Sequence, residues 1–232
     1  MATSTQERSF ERLSTTYPLR GEPFTASGVY DKLAGLLFIV ALSAVVGALF
    51  LPTPAAFALL LVAVASSLVG IFKPDLARIC APIYALAEGA VLGYISRLYS
   101  QDAGGIVPLA ILFTAGVFVG CLVAFRSGLV KVTPRFMTMT MIASFALLAV
   151  FLASLIGLPI PGVRDVGTLG LLFGVVGLGV GVLNLFVDFA AIQQMEERGV
   201  DQKGEWFGAL ILLTSLVLVY VSILRILAAS RR

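Results

Sequence analysis

Three ionisable residues, Glu88, Asp188 and Arg225, lie within long apolar stretches of this 232-residue chain. A charge in such surroundings is costly, so residues of this kind usually face the interior of a helix bundle or a watery cavity. The chemistry open to them is proton binding, cation binding through oxygen atoms, or an ion pair. They are therefore the first candidates for function.

Asp188 has several polar residues within reach. Asn184 lies four residues earlier and shares its helix face, and Thr214 and Ser215 are the only polar side chains in the first half of the last apolar stretch. We expect these three side chains to accompany Asp188 in a proton-sensing or gating group. The alternative is that Asp188 only marks the membrane surface, because "MEERG" follows it. Against this alternative, the apolar "FAAI" continues for another turn.

Glu88 and Arg225 each leave two interpretations open. Glu88 lies inside "PIYALAEGAVLGYISRL", where Gly89 and Gly93 provide a face for close helix contact. It is either part of an ion path or a structural carboxyl bonded to a neighbouring helix. Arg225 either extends towards lipid headgroups or pairs with a carboxylate inside the bundle. Glu205, near the start of the last apolar stretch, is a further carboxylate that the fold could bring to the same site.

The composition excludes several classes of site. The chain has no histidine, which removes the commonest metal ligand and the usual general base. Its two cysteines, Cys80 and Cys121, lie in or beside apolar segments without a C-x-x-C pattern. One intramembrane aspartate is too few for an aspartyl protease, and the last apolar stretch has no lysine to hold retinal. We therefore expect no enzyme activity, no catalytic residue, no metal site and no cofactor, and the net charge of +3 gives no sign of nucleic-acid binding.

Hydropathy indicates which elements position these residues. The chain is 59% hydrophobic and 12% charged, with a mean hydropathy of +1.02, and uncharged apolar runs of roughly 18 residues or more indicate membrane-spanning helices. We predict an all-α membrane protein with a flexible N-terminal tail over 1–30 and a seven-helix bundle over 31–232. The predicted helices cover 33–51, 54–72, 79–98, 107–125, 136–157, 167–190 and 207–227.

The basic residues predict an orientation. Seven spans place the two termini on opposite sides of the membrane, and eleven of the 16 Lys and Arg residues fall on the side of the N-terminus. Lys and Arg are enriched in cytoplasmic loops. We therefore expect a multi-pass protein with its N-terminus in the cytoplasm.

The sixth apolar stretch is rich in glycine. It contains two G-x-x-x-G pairs, Gly170 with Gly174 and Gly177 with Gly181. Small residues at this spacing let two membrane helices approach closely. The alternative is a mobile helix with little side-chain packing to hold it.

The order of the motifs resembles the Bax inhibitor-1/YccA family, in particular its short bacterial members. The resemblance runs from about residue 30 to 228 and is carried by "PIYALAEGAVLGYIS" (82–96), "RSGLVKVTPRF" (126–136), "LNLFVDFAAIQQ" (183–194) and "EWFGALILLTSLVLVYVSILRIL" (205–227). It implies a seven-helix bundle with a central last helix in a bacterial inner membrane. It also implies a pH-modulated calcium leak controlled by two aspartates that share a proton. Some bacterial members instead bind and restrain a membrane-embedded AAA protease.

Only the first of those two aspartates is present. Asp188 matches it, whereas the position of the second falls near Ser215, and no acidic residue follows Glu205. A hydroxyl cannot share a proton as a second carboxyl does, so a pH switch here would depend on Asp188 alone, or on Asp188 with Glu88 or Glu205. We expect a pH-modulated cation leak with calcium as the candidate ion. The alternative is a regulatory protein that binds a membrane protease without transport.

Overall fold

The computed structural model describes residues 23–102, 105–155 and 168–230. These residues form seven long helices: α1 (Ala26–Phe50), α2 (Thr53–Phe72), α3 (Ala77–Asp102), α4 (Ile106–Arg126), α5 (Pro134–Leu155), α6 (Thr168–Glu197) and α7 (Gly204–Ser230). A 3₁₀ turn over Pro74–Leu76 leads into α3. Every helix is long and apolar enough to cross a membrane. The predicted all-α fold with seven membrane helices is therefore confirmed.

The helices extend beyond their predicted ends where the sequence becomes polar. α1 begins at Ala26 rather than 33, α6 continues to Glu197 rather than 190, and α7 begins at Gly204 rather than 207. Hydropathy marks only the apolar part of a helix, whereas backbone hydrogen bonding continues through polar turns. Asp31 and Lys32 therefore lie in the first two turns of α1 instead of before it.

The predicted tail and one predicted connection fall largely outside the described residues. Of the tail over 1–30, residues 1–22 are not described, and residues 26–30 are helical. The connection over 157–165 is not described either. Thr25 caps α1, because its hydroxyl accepts a hydrogen bond from the backbone N–H of Gly28 over 3.0 Å.

The turn between α6 and α7 is short because glycine ends α6. Gly199 has a φ of 63°, a left-handed conformation that glycine adopts without steric cost. The N–H of Val200 then donates back to the carbonyl of Met195 over 3.2 Å. This ending places the start of α7 only a few residues after the end of α6.

Contacts divide the chain into two compact units. The first unit comprises Met1–Ile95 and Ala190–Thr214, and the second comprises Ser96–Phe189 and Ser215–Arg232. The helices α6 and α7 therefore each contribute to both units. In the most apolar 18-residue stretch of α7, 67% of the residues are buried, compared with 11–17% in α1, α2, α4 and α5. The last helix is thus more buried than these four helices, which expose large apolar side chains.

Candidate functional site

Asp188 meets the last helix inside the second unit. The hydroxyl of Ser215 on α7 donates a hydrogen bond to Oδ2 of Asp188 on α6 over 2.5 Å. Both residues are buried, with 8% of Asp188 and 5% of Ser215 exposed. This burial argues against the interpretation in which Asp188 only marks the membrane surface. The pair instead forms a polar link between the two helices in an apolar environment.

The surroundings of Asp188 act on its charge in opposite directions. Burial disfavours the ionised carboxylate, whereas the hydroxyl donor of Ser215 favours it. The next residue, Phe189, packs against the rings of Phe118 and Phe125 of α4, with ring centroids 5.6 and 5.8 Å away. These aromatic contacts pack α6 against α4 at the residue after Asp188.

Two of the expected companions of Asp188 bond elsewhere. Asn184 and Ser144 of α5 exchange hydrogen bonds, over 2.9 Å from the amide nitrogen and 3.0 Å to the amide oxygen. The hydroxyl of Thr214 donates to the carbonyl of Ile211 on its own helix over 2.8 Å. Of the three predicted companions, only Ser215 contacts the carboxyl, while Asn184 ties α6 to α5.

The glycines of α6 bring it close to α7. We call Gly174, Gly177 and Gly181 the glycine seam, because a Cβ atom on each would meet a residue of α7. The added atom would lie 2.9 Å from Cγ1 of Ile226, 2.6 Å from Oγ of Ser222 and 2.8 Å from Cγ2 of Val219, respectively. These separations are too short for a side chain, so the plain interpretation of the G-x-x-x-G spacing, close helix packing, accounts for the seam.

Arg225 lies over an aromatic ring rather than against a carboxylate. The centre of its guanidinium is 5.0 Å from the centroid of Phe173 on α6, an arrangement typical of a cation–π contact. Its Nη1 atom is buried and has no hydrogen-bond partner among the described residues. The alternative in which Arg225 pairs with a carboxylate therefore finds no ion pair within the described part of the chain.

Glu205 belongs to a separate cluster in the first unit. Its carboxylate forms an ion pair with Lys32 of α1 and accepts hydrogen bonds from the backbone N–H and the hydroxyl of Thr25, each over 3.0 Å. We call Thr25, Lys32 and Glu205 the Glu205 clamp. A Cβ atom on Gly28 would collide with this carboxylate, so glycine is needed there for the close approach. A negative charge at the N-terminal end of α1 also interacts favourably with the helix dipole.

The clamp joins two regions that are distant in sequence. Two further contacts reinforce it: the N–H of Ala26 donates to Glu196 over 2.9 Å, and the N–H of Phe24 donates to the carbonyl of Val200 over 2.9 Å. The start of α1 is thus fixed to the connection between α6 and α7. Sequence analysis missed Lys32 and Thr25, because it placed both before the first helix, and no local pattern links them to Glu205.

Glu88 lies on α3 in the first unit and is 8% exposed. Tyr84, one turn earlier, is also buried. The glycines that follow Glu88 have the predicted packing role: a Cβ atom on Gly89 would collide with Ser43 and with the backbone at Val40, and one on Gly93 would collide with the backbone at Ala44. Glu88 is therefore held inside the unit beside a tight contact between α3 and α1.

The comparison with known families agrees with this architecture. A family model described as Bax inhibitor 1 like matches residues 2–232. The chain belongs to this family. No curated protein matched it. For a Bax inhibitor 1-like protein, the contact between Asp188 and Ser215 is of particular interest, because the resemblance implies a pair of aspartates, the first at Asp188 and the second near Ser215.

Proposed function

We propose that this Bax inhibitor 1-like protein is a pH-modulated cation leak, with calcium as the candidate ion. We place it in a bacterial inner membrane, as the resemblance to short bacterial members implies, with its N-terminus in the cytoplasm, as the distribution of Lys and Arg favours. The observation that carries the proposal is the buried hydrogen bond between Asp188 and Ser215. It joins two membrane helices through a group that changes charge on protonation.

Protonation of Asp188 alters the link between α6 and α7. A hydrogen bond to a charged group contributes about 1.5–3 kcal/mol and one between neutral groups about 0.5–1.5 kcal/mol. Gain or loss of the charge therefore changes this link by about 1 kcal/mol, which shifts a two-state equilibrium about fivefold. The cost of burying the charge changes at the same time. A closed and a more hydrated arrangement of the two helices would therefore differ in their affinity for the proton.

The oxygen atoms of the second unit suit a hard cation but are sparse. Calcium binds carboxylate, carbonyl and hydroxyl oxygens, and here the carboxylate of Asp188 is accompanied by Ser215, with the amide of Asn184 one turn earlier. Selective pores use rings of charged or carbonyl groups. We therefore infer a slow leak of low selectivity rather than a dedicated calcium channel, without enzyme activity.

The test is calcium flux in proteoliposomes across mildly acidic to mildly alkaline pH. The native chain is compared with Asp188→Asn, which keeps the size and removes the titration, and with Ser215→Ala, which removes the donor. Asp31→Asn is the matched control, because Asp31 is exposed near the start of α1. We expect a pH-dependent leak that Asp188→Asn flattens and Asp31→Asn leaves unchanged. A pH response that persists in Asp188→Asn would refute the role of Asp188.

The absence of any leak would favour the alternative function. In that case the protein would act by binding another membrane protein, such as an AAA protease, and Asp188 would serve only to join α6 to α7. Co-purification of a protease with the native chain, together with flat flux at every pH, is the result expected from that function.

A further inference from the structure

Glu88 lies in the middle of a membrane helix. It comes eleven residues after the start of α3 at Ala77 and fourteen before its end at Asp102. At about 1.5 Å per residue, the side chain is about 16 Å from the nearer end of the helix. Since the hydrocarbon core is about 30 Å thick, a glutamate at this depth cannot extend its carboxyl to the headgroups.

The face of α3 that carries Glu88 is apolar and buried. Ala81, Ala85 and Leu92 lie at helical spacings of three, four and seven residues from Glu88, and each is at most 5% exposed. Tyr84 supplies the only other polar atom at these spacings. The carboxyl is thus surrounded on its own helix by side chains that can neither donate a hydrogen bond nor neutralise a charge, apart from one phenol.

The carboxyl has no hydrogen bond or ion pair among the described residues, in contrast to Glu205. Both glutamates are buried in the same unit, but Glu205 is satisfied by Lys32 and twice by Thr25. An isolated ionised carboxylate in an apolar environment is so unfavourable that the group binds a proton instead. The two glutamates therefore differ in their partners: the carboxylate of Glu205 is paired with a cation, whereas that of Glu88 forms no ion pair within the described part of the chain.

The neighbouring elements bring no charge to Glu88. The helix α1 packs against α3 through Ser43 and the backbone at Ala44, α2 has no charged residue over Thr53–Phe72, and the carboxylate of α7 in this unit belongs to the clamp. The other charged side chains in the described part of the first unit lie in connections or in the end turns of helices: Asp31, Lys32, Lys73, Asp75, Arg78, Glu196, Glu197, Arg198, Asp201 and Lys203.

We propose that Glu88 is a proton-binding site in the middle of the membrane, in a different unit from Asp188, and that its proton exchanges with the aqueous phase. Glu88 is 8% exposed, so its side chain is not completely enclosed by protein. The glycines after it, Gly89 and Gly93, pack this part of α3 tightly against α1. Proton binding at Glu88 does not require that the protein conducts cations, so it can be tested independently of the proposed leak.

A hydrophobic carbodiimide tests for the proton. The O–H of a carboxylic acid adds across one C=N bond of the reagent, with the proton going to nitrogen. The acyl group of the resulting O-acylisourea then migrates to nitrogen and gives a stable N-acylurea with no leaving group. A carboxylate lacks the required proton. Labelling of the full chain in liposomes therefore reports the protonated fraction of each carboxyl, and peptide mass spectrometry assigns it to a residue.

We expect labelling at Glu88 that falls about tenfold per pH unit on the alkaline side of its midpoint, as for titration of a single group. Glu205 is the internal control, since it is also buried, at 1% exposed, but is paired with Lys32, and we expect it to stay unlabelled. Glu88→Gln should lose the label, whereas Asp188→Asn should leave the labelling of Glu88 unchanged. Labelling of Glu88 that is the same at every pH would overturn the proposal. The proposal would also be wrong if added calcium prevented the labelling and a rise in pH did not.

Infrared spectroscopy of the same liposomes detects a protonated carboxyl even if the carbodiimide does not reach Glu88. The carboxylic C=O band of a protonated Glu88 should disappear from the native spectrum in Glu88→Gln and should decrease as the pH rises. If neither label nor band belongs to Glu88 at mildly acidic pH, the residue does not hold an exchangeable proton and the proposal is wrong.

Discussion

Replacing Lys32 with methionine leaves the carboxylate of Glu205 buried without its cation. The side chain of Glu205 is 2% exposed and that of Lys32 is 21% exposed, so methionine fills much of the same volume without charge. The two hydrogen bonds from Thr25 remain. The substitution therefore removes one interaction from the clamp and keeps the rest of its geometry.

The expected loss of stability can be estimated from this arrangement. Removing one partner of a buried ion pair destabilises a protein by about 3–5 kcal/mol, because an uncompensated charge stays behind. Since Lys32 is partly exposed and Thr25 still donates to Glu205, we expect about 3 kcal/mol, equivalent to roughly a 100-fold change in the unfolding equilibrium. Glu205→Gln combined with Lys32→Met leaves no buried charge, and we expect the double variant to lie within about 1 kcal/mol of the native chain.

Reversible unfolding in detergent micelles measures these differences. The chain has one tryptophan, Trp206, and Nζ of Lys32 lies 5.8 Å from the centroid of its ring, so fluorescence reports directly on the clamp. Circular dichroism followed in parallel tests whether unfolding is two-state. The native chain, both single variants and the double variant complete a double-mutant cycle, with Lys73→Met as the control for loss of an exposed lysine.

Coupling between Lys32 and Glu205 decides whether the ion pair stabilises the fold. Lys32→Met alone should be clearly less stable than the double variant. If both lose the same free energy, or if Lys32→Met behaves like Lys73→Met, the ion pair does not hold the start of α1 to α7, and the contacts from Thr25 alone account for the packing.

Three further predictions concern the second unit. Ser215→Asp places a second carboxyl against Asp188, and because two interacting carboxyls release their protons in two separate steps, the pH dependence of calcium flux should extend over a wider pH range than in the isosteric Ser215→Asn; equal profiles would contradict this. Gly177→Ala should destabilise the protein by about 1–3 kcal/mol through overpacking and so lower the midpoint temperature of unfolding. Gly179→Ala should leave this midpoint unchanged, because position 179 faces open space. Asn184→Ala should cost about 0.6 kcal/mol, and at most about 1.7, in the same unfolding assay, and a larger loss would mean that Asn184 supports more than its serine partner on α5.

The contact of Ser215 with Asp188 differs from the pair of aspartates that the family resemblance implies. Where the resemblance implies two carboxyls that share a proton, this chain has a carboxyl and a hydroxyl in hydrogen-bond contact. One titrating group gives a single protonation step, whereas a coupled pair gives two. If the chain conducts cations as proposed, the pH profiles of the native chain and of Ser215→Asp should therefore differ in shape as well as in position.

The sequence by itself determined the number and approximate position of the membrane helices. Each membrane helix must be compatible with the hydrocarbon core of the bilayer, so its position depends on the composition of one continuous segment. The absence of charge over about 18 residues can be recognised without knowledge of any tertiary contact. For the same reason Glu88, Asp188 and Arg225 could be singled out in advance. The polar first turns of α1 and the last turn of α6 were missed, since hydrogen bonding rather than hydropathy sets those ends.

Only the tertiary structure decided which polar groups meet. Each residue turns about 100° around a helix axis, so Ser215 reaches Asp188 while its neighbour Thr214 bonds to its own helix. Lys32 and Glu205 are 173 residues apart, and their pairing depends on the packing of α1 against α7. Glu88 and Glu205 are both carboxylates in or beside apolar segments, yet Glu205 is paired with Lys32 and Glu88 has no cation among the described residues. Hydropathy is a property of one segment, whereas helix rotation and packing depend on several segments at once, so the sequence alone could not distinguish the two.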